Sequence, residues 1–129
     1  MCIRDSYGDA RLSAAIARSL NRIETQTGIS IPTSPSAARA SGVLAVSVDG
    51  PGQTIPSVDE DESYSLDVSP SGARLHAATV VGALRGLETL EQLVQTDRTG
   101  YFLPAVSIRD TPRFRWRGLM IDCLSLIHI

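Results

Sequence analysis

The sequence has few cysteines, little net charge and no long apolar run, and each shortage argues against a class of protein. Its 129 residues include two cysteines, Cys2 and Cys123, too remote from each other for a pairing to be inferred. A net charge of −2 and a pI near 5.6 argue against nucleic acid as a partner, because nucleic acid favours a basic surface. No apolar run approaches the ~20 residues of a membrane helix, so no membrane partner is expected.

The composition supports one folded domain. Hydrophobic residues make up 43% of the chain, which is enough for a core. Both ends resemble translated adapter sequence: residues 1–8 and 123–129 are expected to be non-native, and the chain is expected to be a fragment. The remaining divisions are an α/β domain over residues 9–109 and a junction over 110–122.

Two stretches have the periodicity of amphipathic helices. The first runs from residue 9 to about 25, with Asp9 as its N-cap and Gly28 as its stop. The second spans residues 79–95 and contains Gly82 and Gly86 one turn apart. Glycine costs a helix roughly 1 kcal/mol relative to alanine. We therefore expect these two glycines to allow close approach of the helix to a neighbouring element.

Strand signals fill the rest of the domain. Alternating apolar and polar residues predict strands at 43–49 and 63–69, and the turn Pro70-Ser71-Gly72 predicts a hairpin with 73–77. Residues 96–100 are expected to form a loop. A last strand, 101–109, is interrupted by Pro104 and is therefore expected at a sheet edge, with Val106 and Ile108 facing the core. The predicted fold class is α+β: a partly antiparallel sheet with two helices on one face.

Acidic and histidine side chains offer few candidates for chemistry. Residues 59–62 are four consecutive acids, without the alternating spacing or the glycine of a calcium loop, so a solvated loop is favoured. His76 falls on the wet face of its strand and is expected to be solvated. No metal, cofactor or catalytic residue is predicted within the chain.

Three segments together resemble the N-terminal part of family-20 glycoside hydrolases, the β-N-acetylhexosaminidases. They are the strand 62–68, the helix motif Gly-x-x-x-Gly-Leu-x-Thr-Leu-x-Gln-Leu at 82–93, and the junction Asp-Thr-Pro-Arg-Phe-Arg-Trp-Arg-Gly at 110–118, followed by Leu-Met-Ile-Asp. The resemblance implies a non-catalytic α/β domain followed by a (β/α)₈ barrel. Residues 116–122 would be the first strand of that barrel, which this chain leaves incomplete.

The resemblance also implies a function for the parent protein. Family members hydrolyse terminal N-acetylhexosamine residues with retention, using the sugar's own acetamide as nucleophile. A downstream Asp-Glu pair, absent from this chain, supplies the acid/base. Arg117 matches the arginine that binds sugar hydroxyls, and Asp122 matches an aspartate with a supporting role. The implied partners are an N-acetylhexosamine-terminated glycan and the missing C-terminal barrel, and the implied location is periplasmic or extracellular.

Beyond Asp122 the sequence departs from the family pattern. Residues 124–127, Leu-Ser-Leu-Ile, stand where the family has a small residue followed by Arg-His and an aromatic. The fragment alone is therefore expected to be inactive, because one strand cannot close a barrel of eight. Two alternatives remain open: an accessory α/β domain of another glycoside hydrolase, and a stand-alone α/β interaction module without enzymatic activity.

Overall fold

A computed structural model describes residues 9–31 and 42–118, together with the backbone of residues 3–5. The chain forms, in order, β1 (Ile3–Asp5), α1 (Ala10–Thr27), β2 (Val43–Val48), β3 (Tyr64–Ser69), β4 (Gly72–Ala77), α2 (Val80–Gln92), β5 (Gln95–Asp97), β6 (Gly100–Phe102) and β7 (Val106–Asp110). Neither described helix is long and apolar enough to cross a membrane.

The main sheet is mixed. Its strand order is β1-β2-β4-β3-β7. β2 runs parallel to β1 and β4, whereas β3 runs antiparallel to β4 and β7. The predicted hairpin is therefore confirmed as β3–β4, turning through Pro70 and Ser71. β7 lies at the edge of the sheet, as Pro104 predicted.

One face of the sheet is covered by both helices and the other is polar. The covered face contributes the most deeply buried side chains of the domain, among them Leu44, Val46, Leu66 and Leu75, none more than 1% exposed. Burial of each such side chain is worth about 1.5–3 kcal/mol. The opposite face carries the alternate residues, Ser47, Ser65, Asp67, Arg74 and His76. The predicted α+β class, with two helices on one face, is confirmed.

Helix α1 begins and ends at the residues that the sequence indicated. The Asp9 carboxylate accepts hydrogen bonds from the backbone N–H groups of Arg11 (2.7 Å) and Leu12 (3.4 Å), which satisfies donors that the first turn leaves unpaired. Gly28 has φ 70° and donates its N–H to the Glu24 carbonyl at 2.8 Å. This left-handed conformation favours glycine, so the helix stops there.

Helix α2 lies unusually close to the sheet at its two glycines. A Cβ on Gly82 would stand 2.5 Å from the Ser63 carbonyl oxygen, and one on Gly86 would stand 2.2 Å from Leu75 Cδ1. Real Cβ atoms do not approach other atoms so closely, so the two glycines permit the packing. The prediction of close approach is confirmed. The helix is shorter than predicted: it ends at Gln92, whereas the prediction extended it to residue 95.

The segment predicted as a loop, 96–100, instead contains the end of β5, a turn at residues 98–99 and the start of β6. β5 and β6 pair antiparallel. The Asp97 carboxylate accepts from the Thr99 N–H (2.7 Å) and the Gly100 N–H (3.2 Å). An aspartate that bonds its own turn in this way fixes a tight reversal. The predicted strand 101–109 is accordingly divided into β6 and β7, separated by residues 103–105.

The ends of the described chain bear on two other predictions. Ile3–Asp5 pairs with β2 as an edge strand, although residues 1–8 were expected to be non-native. Residues 116–118 form no strand, and residues 119–122 lie outside the described residues. The predicted start of a barrel therefore stays a prediction, as do the domain boundaries.

Candidate functional site

The junction after β7 returns along the end of the domain and carries Arg117 to Glu62. Arg117 Nη2 donates to Glu62 Oε2, and Nη1 donates to the Phe114 carbonyl oxygen at 2.6 Å. Glu62 precedes β3 and lies 55 residues away in sequence. Arg117, the predicted sugar-binding residue, thus bridges the junction and the α/β domain. Asp122, the predicted supporting residue, lies outside the described residues.

Glu62 is shared by two arginines. Its other oxygen, Oε1, accepts from Arg85 Nη2 on α2 at 3.1 Å. The Glu62 side chain is 18% exposed, whereas those of Arg85 and Arg117 are 51% and 41% exposed. The hydrogen bond from Arg85 first, and then that from Arg117, holds the pKa of Glu62 below its ordinary value, although partial burial opposes the shift. Glu62 is therefore a carboxylate at neutral pH.

The backbone around Glu62 is fixed by the first turn of α2. Thr79, the N-cap of α2, donates its hydroxyl to the Asp61 carbonyl oxygen at 2.6 Å. The Ser63 carbonyl lies against Gly82, and the Ser63 N–H donates to Asp61 Oδ1 at 2.8 Å. Both neighbours of Glu62 are thus held in place, so its backbone has a defined position beside the junction.

A second ion pair joins the same two segments. Arg115 donates from Nη1 to Asp59 Oδ1, with both side chains more than 70% exposed. Exposed pairs contribute little stability, about 0–1 kcal/mol. The pairs Arg115–Asp59 and Arg117–Glu62 together form a charged seam, which gives the acidic loop, residues 59–62, a basic partner. In the part of the chain that the structure describes, no group of three or more metal-binding side chains is found.

Two small cavities flank Arg117. One, of about 320 Å³, is lined by Tyr64, Arg85, Phe114 and their neighbours, and the other, of about 230 Å³, by the acidic loop and Arg115. A larger cavity of about 490 Å³ lies at the opposite end of β3, near Ile31 and Gly42. Its lining is mainly aliphatic and aromatic and includes no Asp, Glu, His, Lys or Arg among the described residues. The described part of this lining therefore supplies no carboxylate, imidazole or basic side chain for ion-pair chemistry.

The junction also exposes its two large aromatic side chains. Phe114 is 68% exposed and Trp116 is 82% exposed. Exposed apolar surface next to a charged seam is typical of a region that packs against another domain. The guanidinium carbon of Arg113 lies 5.9 Å from the centre of the Phe114 ring, and both aromatic side chains remain largely exposed.

A row of polar groups on the open face of the sheet resembles a triad but lacks its surroundings. Ser47 Oγ lies 3.1 Å from His76 Nδ1, and His76 Nε2 lies 3.6 Å from Asp49 Oδ2. The His76 and Asp49 side chains are 53% and 67% exposed, so water is not excluded. The row is a solvated surface contact, as predicted for His76.

Sequence reasoning does not identify Glu62 and Arg85 as partners of the junction. In the sequence Glu62 belongs to a run of solvated acids, and Arg85 to the polar side of the second helix. No local pattern brings residues 62, 85 and 117 together, because their meeting depends on the packing of α2 against β3 and on the path of the junction. The signal available in the sequence is the opposite charge of the two segments.

The fold and the seam define an α/β domain whose C-terminal end continues into a basic-aromatic junction. The chain belongs to the beta-acetyl hexosaminidase-like family, whose family model matches residues 6–93. The resemblance to family-20 glycoside hydrolases is thereby confirmed. The match covers most of the described helices and strands and corresponds to the N-terminal domain of these enzymes.

Individual relatives give the same result. The chain is 35% identical over 122 residues to beta-hexosaminidase subunit A1 of Dictyostelium discoideum, covering 93% of this chain and 22% of that protein. It is 53% identical over 68 residues to beta-hexosaminidase subunit beta of Rattus norvegicus, covering 52% of this chain and 13% of that protein. The chitobiase structure from Flavobacterium johnsoniae superposes with a TM-score of 0.77 at 37% identity, covering 93% of this chain and 19% of that one. The chain thus spans about a fifth or less of the length of these relatives.

Proposed function

We propose that the protein containing this chain is a β-N-acetylhexosaminidase, a retaining glycoside hydrolase that removes terminal N-acetylhexosamine residues. The observation that carries the proposal is the match to the Dictyostelium subunit over 93% of the chain. A match that omits less than a tenth of the chain has to include residues beyond β7, so it extends into the junction. An accessory domain attached to an unrelated enzyme would not be expected to keep that similarity across its boundary.

In the proposed mechanism the acetamide oxygen of the substrate attacks the anomeric carbon, so the enzyme provides no carboxylate nucleophile. An Asp-Glu pair in the C-terminal barrel orients the acetamide and supplies the general acid and base. This chain contains neither member of that pair and is expected to be inactive alone. Its contribution is to bind the sugar.

Arg117 is the residue we assign to sugar binding. A guanidinium has five N–H donors in a rigid fork and keeps its charge at any working pH. The bonds to Glu62 and to the Phe114 carbonyl use one donor on each Nη atom, which leaves donors that could hold two neighbouring hydroxyls. Asp122 is assigned a supporting hydrogen-bond role.

The exposed junction supports a neighbouring barrel. Phe114 and Trp116 would be covered by the first strands and helices of that domain, with residues 116–122 supplying the first strand. The proposed substrates are glycans ending in N-acetylhexosamine, and the proposed location is the periplasm or the extracellular space.

The test is to recover the full-length protein and to assay it on 4-nitrophenyl N-acetyl-β-D-glucosaminide and on the corresponding β-glucuronide. We expect hydrolysis of the first substrate only. Arg117→Ala should lower kcat/KM about 100-fold, because two charge-assisted hydrogen bonds are lost. The matched control is Arg22→Ala, which removes another ion-paired arginine, one bonded to Glu88 and Glu91. Hydrolysis of the glucuronide, or no hydrolysis of either glycoside, would favour one of the two alternative functions.

A further inference from the structure

We infer that Glu62 is a positioning residue for Arg117, so that the non-catalytic domain helps to set the geometry of the sugar pocket. The inference rests on the proposed function, because it assumes that Arg117 binds the substrate. It adds a residue outside the barrel to the groups that determine substrate affinity.

The first argument is the division of the Glu62 carboxylate between two arginines. Oε1 accepts from Arg85 and Oε2 accepts from Arg117. A carboxylate that was merely balancing the charge of α2 would need only Arg85. The second oxygen is directed to the junction, where it binds the Nη2 end of the Arg117 fork and limits rotation of the guanidinium.

The second argument is that the backbone on both sides of Glu62 is held in place. The Thr79 hydroxyl bonds the carbonyl before it, and Gly82 lets α2 contact the carbonyl after it. Its side chain is only 18% exposed. A sugar-binding arginine on a long, flexible side chain loses less entropy on binding if a fixed partner has already oriented it.

The third argument is geometric compatibility with the substrate. Glu62 and the Phe114 carbonyl hold the two terminal nitrogens by one bond each. Such an arrangement aligns the plane of the guanidinium and still leaves N–H donors for hydroxyl groups. Glu62 and a sugar therefore need not compete for the same donor atoms.

The experiment uses the full-length protein and the substrate 4-nitrophenyl N-acetyl-β-D-glucosaminide. Glu62→Gln should raise KM about 3- to 10-fold and change kcat less than about 2-fold, because an oriented ground-state contact is lost. The matched control is Glu91→Gln. Glu91 is also partly buried, at 15% exposure, and also accepts from an arginine, Arg22 at 3.1 Å. It should lower thermal stability to a similar degree and leave KM unchanged.

A double-mutant cycle separates positioning from general stability. If Glu62 acts through Arg117, Glu62→Gln should have no further effect on KM in an Arg117→Ala background. An equal rise in KM for the Glu62 and Glu91 variants, or an undiminished effect of Glu62→Gln in the Arg117→Ala background, would overturn the inference. If Arg117→Ala alone leaves kcat/KM unchanged, the sugar-binding assignment fails and the inference fails with it. If Arg117→Ala lowers kcat/KM while Glu62→Gln leaves KM unchanged, the sugar-binding assignment stands and only the positioning role of Glu62 fails.

Discussion

Replacing Gly82 by alanine is expected to destabilise the domain by about 2 kcal/mol, although alanine is the better helix former. Gly82 and Gly86 both face the sheet, but their obstacles differ. The nearest atom to a Cβ on Gly82 is the Ser63 carbonyl oxygen at 2.5 Å, whereas the nearest to one on Gly86 is the side-chain tip of Leu75 at 2.2 Å. Distance alone would make Gly86 the more sensitive position. The kind of atom leads to the opposite ranking.

The magnitude results from two opposing effects. Alanine gains about 1 kcal/mol of helix propensity at either position, and overpacking costs about 1–3 kcal/mol, occasionally more. The Ser63 carbonyl leads directly into β3, which is bonded on both sides, to β4 and β7. This carbonyl cannot move away from a new Cβ without moving the sheet, so the overpacking cost at Gly82 is at the upper end of that range. The Leu75 tip is the end of a side chain and can shift more readily than a hydrogen-bonded backbone, so Gly86→Ala is expected to cost about 0–1 kcal/mol net.

The assay is urea denaturation of the 129-residue chain, with unfolding monitored by far-UV circular dichroism. Trp116, the single tryptophan, is 82% exposed, so its fluorescence would report poorly on the core. A loss of about 2 kcal/mol should lower the urea midpoint by about 1 M. Leu75→Val removes the obstructing Cδ atoms and should suppress the cost of Gly86→Ala but not that of Gly82→Ala. Equal or reversed costs for the two glycine variants would show that backbone rigidity does not set their order.

Two further predictions concern the N-terminus of α1 and the carboxylate at the seam. Asp9→Ala should lower the melting temperature by a few degrees. Asp9→Asn keeps an oxygen acceptor for the N–H groups of Arg11 and Leu12, so it should change the melting temperature little. Equal losses for the two variants would contradict the capping role of Asp9. Because the hydrogen bond from Arg85, and then that from Arg117, lowers the pKa of Glu62 from its ordinary 4.5, the folded state binds this proton less readily than the unfolded state. The contribution of ionised Glu62 to the free energy of unfolding is therefore present above pH 4.5 and lost as the pH falls through the lower pKa of the folded state. The difference in urea midpoint between the wild type and Glu62→Gln should be constant above pH 4.5 and become smaller in acid. A difference that does not change with pH would contradict a stabilising role for the Glu62 ion pairs.

Local signals predicted the elements whose causes are local. Asp9 and Gly28 mark the ends of α1 because capping depends on the residues within one turn. The alternation of residues 63–69 predicted a strand with one buried face, and Val106 and Ile108 pack against the core as expected. The β5–β6 hairpin was missed because its turn depends on Asp97 bonding nearby backbone N–H groups, a pattern that is also common in loops.

The order of residues was enough to predict the two amphipathic helices, the strands with one wet face and the family, because periodicity, capping residues and motifs are properties of neighbouring positions. It also indicated that Gly82 and Gly86 need a close neighbour. The identity of these and other neighbours came from the folded structure: Ser63 and Leu75 for the glycines, β4 between β2 and β3, and Glu62 for Arg117. These depend on contacts between residues far apart in the chain, which form when burial of the shared apolar face holds the helices against the sheet.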